Sequence, residues 1–180
     1  IKDILGAMHI PVLEVAGYEA DDVIGTLAHK AAAEGFEVFM VTPDKDYGQL
    51  VTDRVKIYKQ KGEGIEIVDR EAIKEHYGFD DPILVRDVLA LWGDASDNIP
   101  GVKGVGEKTA KALLQQFGSL DGVYAHLDDP SIKPKMREKL ESDRDNAYLS
   151  YELATIVPEA PIDFEPKDAI VQPYDRPSLY

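Results

Sequence analysis

The spacing of apolar residues changes character near residue 69. Before it, short apolar runs surround one helical stripe. After it, helical spacing dominates. Leu5–Met8 closes an amphipathic helix, and the IPVLEV run that starts at Ile10 predicts a short strand. From Glu19 to Glu34, Val23, Ile24, Leu27, Ala28 and Ala31 recur on one helical face, and Gly35 is a natural stop. Glu37–Thr42 is an apolar run without alternation, which predicts a strand buried on both faces of a parallel sheet. Strand, helix and strand in this order predict a βαβ unit. A short helix is expected over Asp46–Val51. VKIYKQ and GIEIV about the turn residues KGEG predict a β-hairpin.

Beyond Asp69 the pattern predicts helices over Arg70–Tyr77, Leu84–Trp92, Glu107–Phe117, Leu120–His126, Lys135–Glu141 and Asp145–Ala154. Val85, Val88, Leu89 and Trp92 share one face, as do Ala110, Leu113, Leu114 and Phe117. The proline-rich tail from Pro158 reads as extended. The expected class is α/β. Residues 1–68 carry a parallel-sheet core, 69–157 a helical subdomain, and 158–180 a tail or linker. The chain opens inside a helical pattern without a Met, so a piece of a longer protein is expected.

Composition narrows the chemistry. Cysteine is absent, which removes disulfides, thiolate zinc sites and Cys nucleophiles. That fits a reducing cytoplasm, and no apolar run suits a membrane span. The apolar stripes have partners within the chain, so a monomer is expected. The formal net charge of −14 argues against nucleic acid if read alone. The acids, however, fall in short clusters.

GYEADD places Glu19, Asp21 and Asp22 at a helix N-terminus, where capping accounts for one acid more easily than for three. TPDKD places Asp44 and Asp46 just after the apolar strand, on the same side if the chain stays extended. An Asx turn plus a helix cap would account for one of these two more easily than for both. GDASD places Asp94 and Asp97 at i, i+3 beyond a helix end, where loop solvation is the plain alternative. Seven nearby carboxylates would raise one another's pKa. Two divalent cations with oxygen ligands, Mg²⁺ or Mn²⁺, would relieve this and could support in-line phosphoryl displacement. His9, His29, His76 and His126 lie outside the clusters, which disfavours a zinc hydrolase.

GVKGVGEKTA follows directly. Its glycines permit close backbone approach, and its N–H groups lead into a helix N-terminus suited to an anion. Lys103, Lys108 and Lys111 add charge, and Thr109 adds a hydroxyl. This is a helix–hairpin–helix pattern, which holds a nucleic-acid backbone without reading bases. No G-x-x-x-x-G-K-[ST] is present, so a nucleotide P-loop matches poorly.

GYEADDVIGTLA, VTPDKDYGQLV and LALWGDASDNIPGVKGVGEKTAKALLQQFGSLDGVY together resemble the 5′-nuclease domains of the bacterial DNA polymerase I family. These belong to the flap-endonuclease group. The resemblance runs from about Ile10 to Leu153. It implies a PIN-like α/β core, here partial, followed by a helix–hairpin–helix subdomain. It implies two-metal phosphodiester hydrolysis at the 5′ ends and flaps of branched duplex DNA, in replication primer removal and repair. Linked polymerase domains and a cytoplasmic, nucleoid-associated location follow from it. By position, Glu19, Asp21, Asp44, Asp46 and Asp97 resemble metal ligands, and Asp22 and Asp94 acids that bind through water. Asp44, Asp46 and Asp97 would serve catalysis. Gly101, Val102, Lys103, Gly104, Val105, Gly106, Lys108, Thr109 and Lys111 resemble the duplex grip, where the turn carbonyls would also hold K⁺. The family's pattern opens with a strand and further Asp ligands that would precede Ile1, so weak activity of this piece alone is expected.

Two other readings stand beside this one. A non-catalytic helix–hairpin–helix module explains the hairpin and leaves the acids idle. A haloacid-dehalogenase-like phosphatase would use Asp44 and Asp46 as its D-x-D pair and leave the hairpin unexplained.

Overall fold

The computed structural model describes residues 1–179. In order it contains α1 (Lys2–Ala7), α2 (Ala20–Ala33), β1 (Val38–Val41), β2 (Val55–Lys61), β3 (Gly64–Val68), α3 (Arg70–Tyr77), α4 (Val85–Trp92), α5 (Glu107–Phe117), α6 (Leu120–Ala125), α7 (Pro134–Ser142), α8 (Arg144–Ala154) and α9 (Arg176–Leu179). Contacts divide the chain into two units. One joins residues 1–38 to the tail from residue 157, and the other is Phe39–Ile156.

In the first unit α2 buries Val23, Ala28 and Ala31, while Ile24 stays 39% exposed. The tail runs along this helix. The Val157 N–H donates to Asp22 Oδ1 at 2.8 Å and the Ala160 N–H to Thr26 Oγ1 at 2.9 Å. Lys30 Nζ donates to the Phe164 carbonyl at 2.9 Å and to Glu165 at 2.8 Å. The tail then reaches α1, where the Asp175 N–H donates to the Ala7 carbonyl at 2.8 Å and α9 packs beside it. The strand expected from Ile10 is not formed. Among the described residues no strand pairs with it, and a strand exists only through its ladder. The βαβ unit expected there is therefore incomplete.

In the second unit the sheet order is β1-β2-β3, with β2 and β3 antiparallel from Ile57↔Val68 to Lys61↔Gly64. The tight turn between them uses Gly62 at φ +60°. β1 was expected to be buried on both faces, and it is not. Met40 faces the core, while Phe39 and Val41 are 49% and 79% exposed. β1 is an edge strand with one solvated face, and the Lys56 ammonium lies over the Phe39 ring at 5.9 Å. The helix expected near Asp46 is a 3₁₀ turn over Asp46–Leu50.

The helical region centres on α4, which packs on α5 and α8. Val85, Val88, Leu89 and Leu91 on α4 are closed to solvent, as are Leu114 on α5 and Leu140 on α7. Asp87 is the polar member of this core. Its Oδ1 accepts the Leu120 N–H at 2.8 Å, which fixes the start of α6. Burial pushes the Asp87 carboxyl up, against the opposing pull of that hydrogen bond and of Arg86. Asp87→Ala leaves the Leu120 N–H buried without an acceptor and should cost about 1–3 kcal/mol. Asp87→Asn keeps the acceptor and sheds the buried charge, so it should cost less. Urea unfolding midpoints at unchanged m-value check the order.

Candidate metal centre and nucleic-acid interface

The end of α4 begins the site. Gly93 takes φ +80°, and the chain then closes a small loop: the Asp94 N–H donates to the Ile99 carbonyl and the Ile99 N–H to the Asp94 carbonyl, both at 2.8 Å. This loop is bridged rather than helical, with Asn98 at φ +58°. It buries Asp94 and leaves Asp97 exposed. Asp94 Oδ1 accepts the Ser96 N–H at 3.0 Å and the Ser96 hydroxyl at 2.6 Å.

The turn after β1 supplies the other acids. The chain does not stay extended there. Asp44 Oδ1 accepts the Asp46 N–H at 3.0 Å, an Asx turn that starts the 3₁₀ segment. Asp46 is thereby turned inward and buried. Asp46, Asp94 and Asp97 each present a carboxylate oxygen within 4.8 Å of the others. Asp46 is only 8% exposed, and its Oδ1 has no hydrogen-bond partner. An orphaned buried oxygen beside two further carboxylates fits a hard divalent cation, because only oxygen donors converge there. Asp44 stands next to this trio rather than in it. Glu19, Asp21 and Asp22 lie in the first unit at the start of α2. There both oxygens of Asp22 are in use, Oδ2 by the Glu19 N–H and Oδ1 by Val157.

The spacing of acids led to cations alone as the compensating charge. The structure adds Lys45, the residue between Asp44 and Asp46. Its ammonium donates to Asp94 Oδ2, lies 3.9 Å from Asp46 Oδ1, and sits 5.7 Å from the centroid of the Trp92 ring. A lysine inside D-K-D is the nearest available counter-charge in the sequence. Burial pushes the Asp94 carboxyl up, but the Lys45 and Ser96 hydrogen bonds outweigh it and hold it down at about 2. Burial first, then Asp44, Asp94 and Asp97, push Asp46 up to about 7 against the pull of Lys45.

The hairpin leaves the same loop. Gly101 has φ +60°, and a Cβ there would stand 2.4 Å from the Gly93 nitrogen. Val102 and Val105 plug into the core at 1% and 4% exposure, so their side chains anchor the turn. Three residues unforeseen in the sequence hold it. Ser150 Oγ accepts the Gly101 N–H at 2.8 Å, Asp143 accepts the Lys103 N–H at 2.8 Å, and Lys139 Nζ donates to the Gly104 carbonyl at 3.0 Å. Among the described residues the N–H groups of Gly104, Gly106, Glu107 and Lys108 have no protein acceptor, and Lys103 and Lys108 have no ion pair. Thr109 is half-buried on the first turn of α5. Lys111 is engaged by Glu107 Oε1 at 2.6 Å, the His76 carbonyl at 2.8 Å and the Tyr77 ring. The free cations of the hairpin are therefore Lys103 and Lys108.

Two family models match. Residues 1–78 match the 5′-3′ exonuclease N-terminal resolvase-like domain, and residues 81–177 the 5′-3′ exonuclease C-terminal SAM fold. The chain belongs to the 5′-3′ exonuclease family. It is 45% identical over 178 residues to DNA polymerase I of Bacillus subtilis, covering 98% of this chain and 20% of that protein. With the thermostable DNA polymerase I of Thermus aquaticus the identity is 42% over 165 residues, 92% of this chain and 19% of that protein. The chain thus spans about a fifth of the length of the curated relatives it matches. A bacteriophage T5 flap endonuclease, solved as a pseudo-enzyme-product complex with DNA and metal ions, superposes with a TM-score of 0.71 at 22% identity, covering 85% of this chain and 55% of that one. The fold of this exonuclease-family chain is the expected α/β, PIN-like type followed by a helix–hairpin–helix region. No described helix is long and apolar enough to cross a membrane.

Two outcomes test this geometry. Gly101→Ala forces a left-handed residue into backbone 2.4 Å away, whereas Gly106 at φ −100° has open space around its Cα. Gly101→Ala should therefore cost more than the 1–2 kcal/mol of a strained φ, and Gly106→Ala about 0.5 kcal/mol or less, by thermal unfolding. The second outcome concerns pH. The folded chain keeps a proton on Asp46 up to about pH 7, but an ordinary carboxyl loses it near 3.8. Between those values the folded state binds more protons, so this group's contribution falls as pH rises. In chelator, the melting midpoint of Asp46→Asn should gain on that of the wild type across this window.

Proposed function

We propose that the chain acts as a divalent-metal-dependent 5′-nuclease on branched or 5′-flap duplex DNA, working in primer removal and repair beside linked polymerase domains in a bacterial cytoplasm. The carrying observation is the orphaned, buried Asp46 Oδ1 within reach of Asp94 and Asp97. Family membership and the free hairpin N–H groups support the same reading.

Asp46, Asp94 and Asp97 would hold the cations, and the all-oxygen donor set suits Mg²⁺ or Mn²⁺. When bound, such ions supply Lewis acidity toward a water and toward the phosphodiester. Asp44 fixes the backbone that aims Asp46, and Ser96 fixes Asp94. Lys103, Lys108 and the N–H groups from Gly104 to Lys108 would take a phosphate of the uncut duplex, sequence-independently. Thr109 would add its hydroxyl. Lys111 would steady α3 against α5 rather than meet DNA. A K⁺ at the turn carbonyls belongs to the same proposal, next to the charge that Lys139 already places on Gly104. The D-x-D phosphatase reading fares worse, because Asp44 spends its side chain on the turn.

A labelled 5′-flap duplex with Mg²⁺ or Mn²⁺ tests the proposal, in this chain and in the native protein that contains it. Cleavage in the native protein should fall about 100-fold or more in Asp46→Ala. Lys103→Met and Lys108→Met should each weaken binding and lower the salt slope by about 1. A native protein that binds the flap but never cuts with any divalent ion would leave a non-catalytic module.

A further inference from the structure

Lys45 belongs to neither the family reading nor the expected ligand set, yet its ammonium sits where the three acids converge. It donates to Asp94 Oδ2 and stands 3.9 Å from Asp46 Oδ1, the oxygen that no hydrogen bond satisfies. Its backbone is not free to move away, because Asp44 and Asp46 flank it and the Asx turn fixes them. Its side chain has somewhere to go. It lines a cavity of about 400 Å³ that also includes Trp92, Lys59 and His76.

We propose that Lys45 is a tethered counter-ion that exchanges with the divalent cation. Without the ion, its ammonium neutralises Asp94 and shields Asp46, which keeps three carboxylates from spreading the bridged loop. A divalent ion that takes Asp94 Oδ2 and Asp46 Oδ1 occupies the place of the ammonium and displaces it, because the two positive charges would otherwise lie in contact. The displaced ammonium swings away from Asp94 into the cavity and changes its position over the Trp92 ring. Lys45 is thus a positioning residue: it preserves the acid geometry and sets the ion concentration at which the centre fills. This rests on the metal-centre reading above.

The test needs no DNA. Mn²⁺ affinity of the whole chain is measured by the electron paramagnetic resonance signal of the free ion, for the wild type and for Lys45→Met. Removing the competing ammonium should tighten Mn²⁺ binding about tenfold. The same variant should melt earlier than the wild type in chelator, because three acids then face one another bare. Trp92 is the single tryptophan, so its fluorescence reports on the ammonium. Mg²⁺ should change that fluorescence in the wild type and leave it flat in Lys45→Met. A purely structural lysine would move the melting point and neither of the other readings. Equal Mn²⁺ affinity in both proteins, or the same fluorescence change in both, overturns the role of Lys45. Mn²⁺ binding by neither overturns the metal centre itself. Should Lys45→Met fail to fold, Lys45→Gln takes its place with the same expected direction.

Discussion

The close approach of two backbone segments, Gly93 and Gly101, governs the second unit. A Cβ on Gly101 would collide with the Gly93 nitrogen at 2.4 Å, and one on Gly93 with the Ile99 carbonyl at 2.7 Å. Because the strands of this small loop touch, the loop closes on itself through the Asp94–Ile99 bridge. The acids sit on one side of that closure and the hairpin leaves from the other. α4 holds both ends: the Gly93 N–H donates to the Leu89 carbonyl and the Val102 N–H to the Leu91 carbonyl. Any shift of the closure would move the carboxylates and the hairpin together.

The electrostatics follow from that geometry. Bringing three carboxylates together in a half-buried place costs free energy that solvent cannot offset there. The chain divides the cost. Asp94 is satisfied by Ser96 and Lys45 and stays well below the usual carboxylate range, while Asp46 is left with an unmet oxygen and rises well above it. Within one cluster, one acid is thus held low by its hydrogen bonds and its neighbour raised by burial and like charge.

Much of this was readable in advance. The helices from Arg70 onward follow their apolar spacing to within a residue or two, because each buries one stripe against α4 or its neighbours. Asp46, Asp94 and Asp97 are three of the seven clustered acids, and the structure brings their carboxylate oxygens within 4.8 Å of one another through local geometry other than the expected one. The TPDKD segment turns instead of extending, and GDASD closes a bridge instead of a helical turn. What the sequence hid is what depends on distant partners. Nothing near Gly101 points to Ser150, and nothing near Lys103 points to Asp143, since those contacts span 49 and 40 residues. The strand expected from Ile10 failed for the complementary reason: apolar character suits a strand, but only a neighbour makes one.

The tail's course over α2 bears on how the chain acquires its structure during synthesis. The second unit is one uninterrupted segment, so its contacts can all form once residue 156 has emerged. The first unit is split. Thr26, Lys30 and Ala7 find their partners only at Ala160, Phe164, Glu165 and Asp175. The helix that carries Thr26 and Lys30 gains these hydrogen bonds only from residues more than 120 positions later in the chain. The unit that holds Asp46, Asp94 and Asp97 can be complete before the residues that tie the two segments of the first unit together have been made.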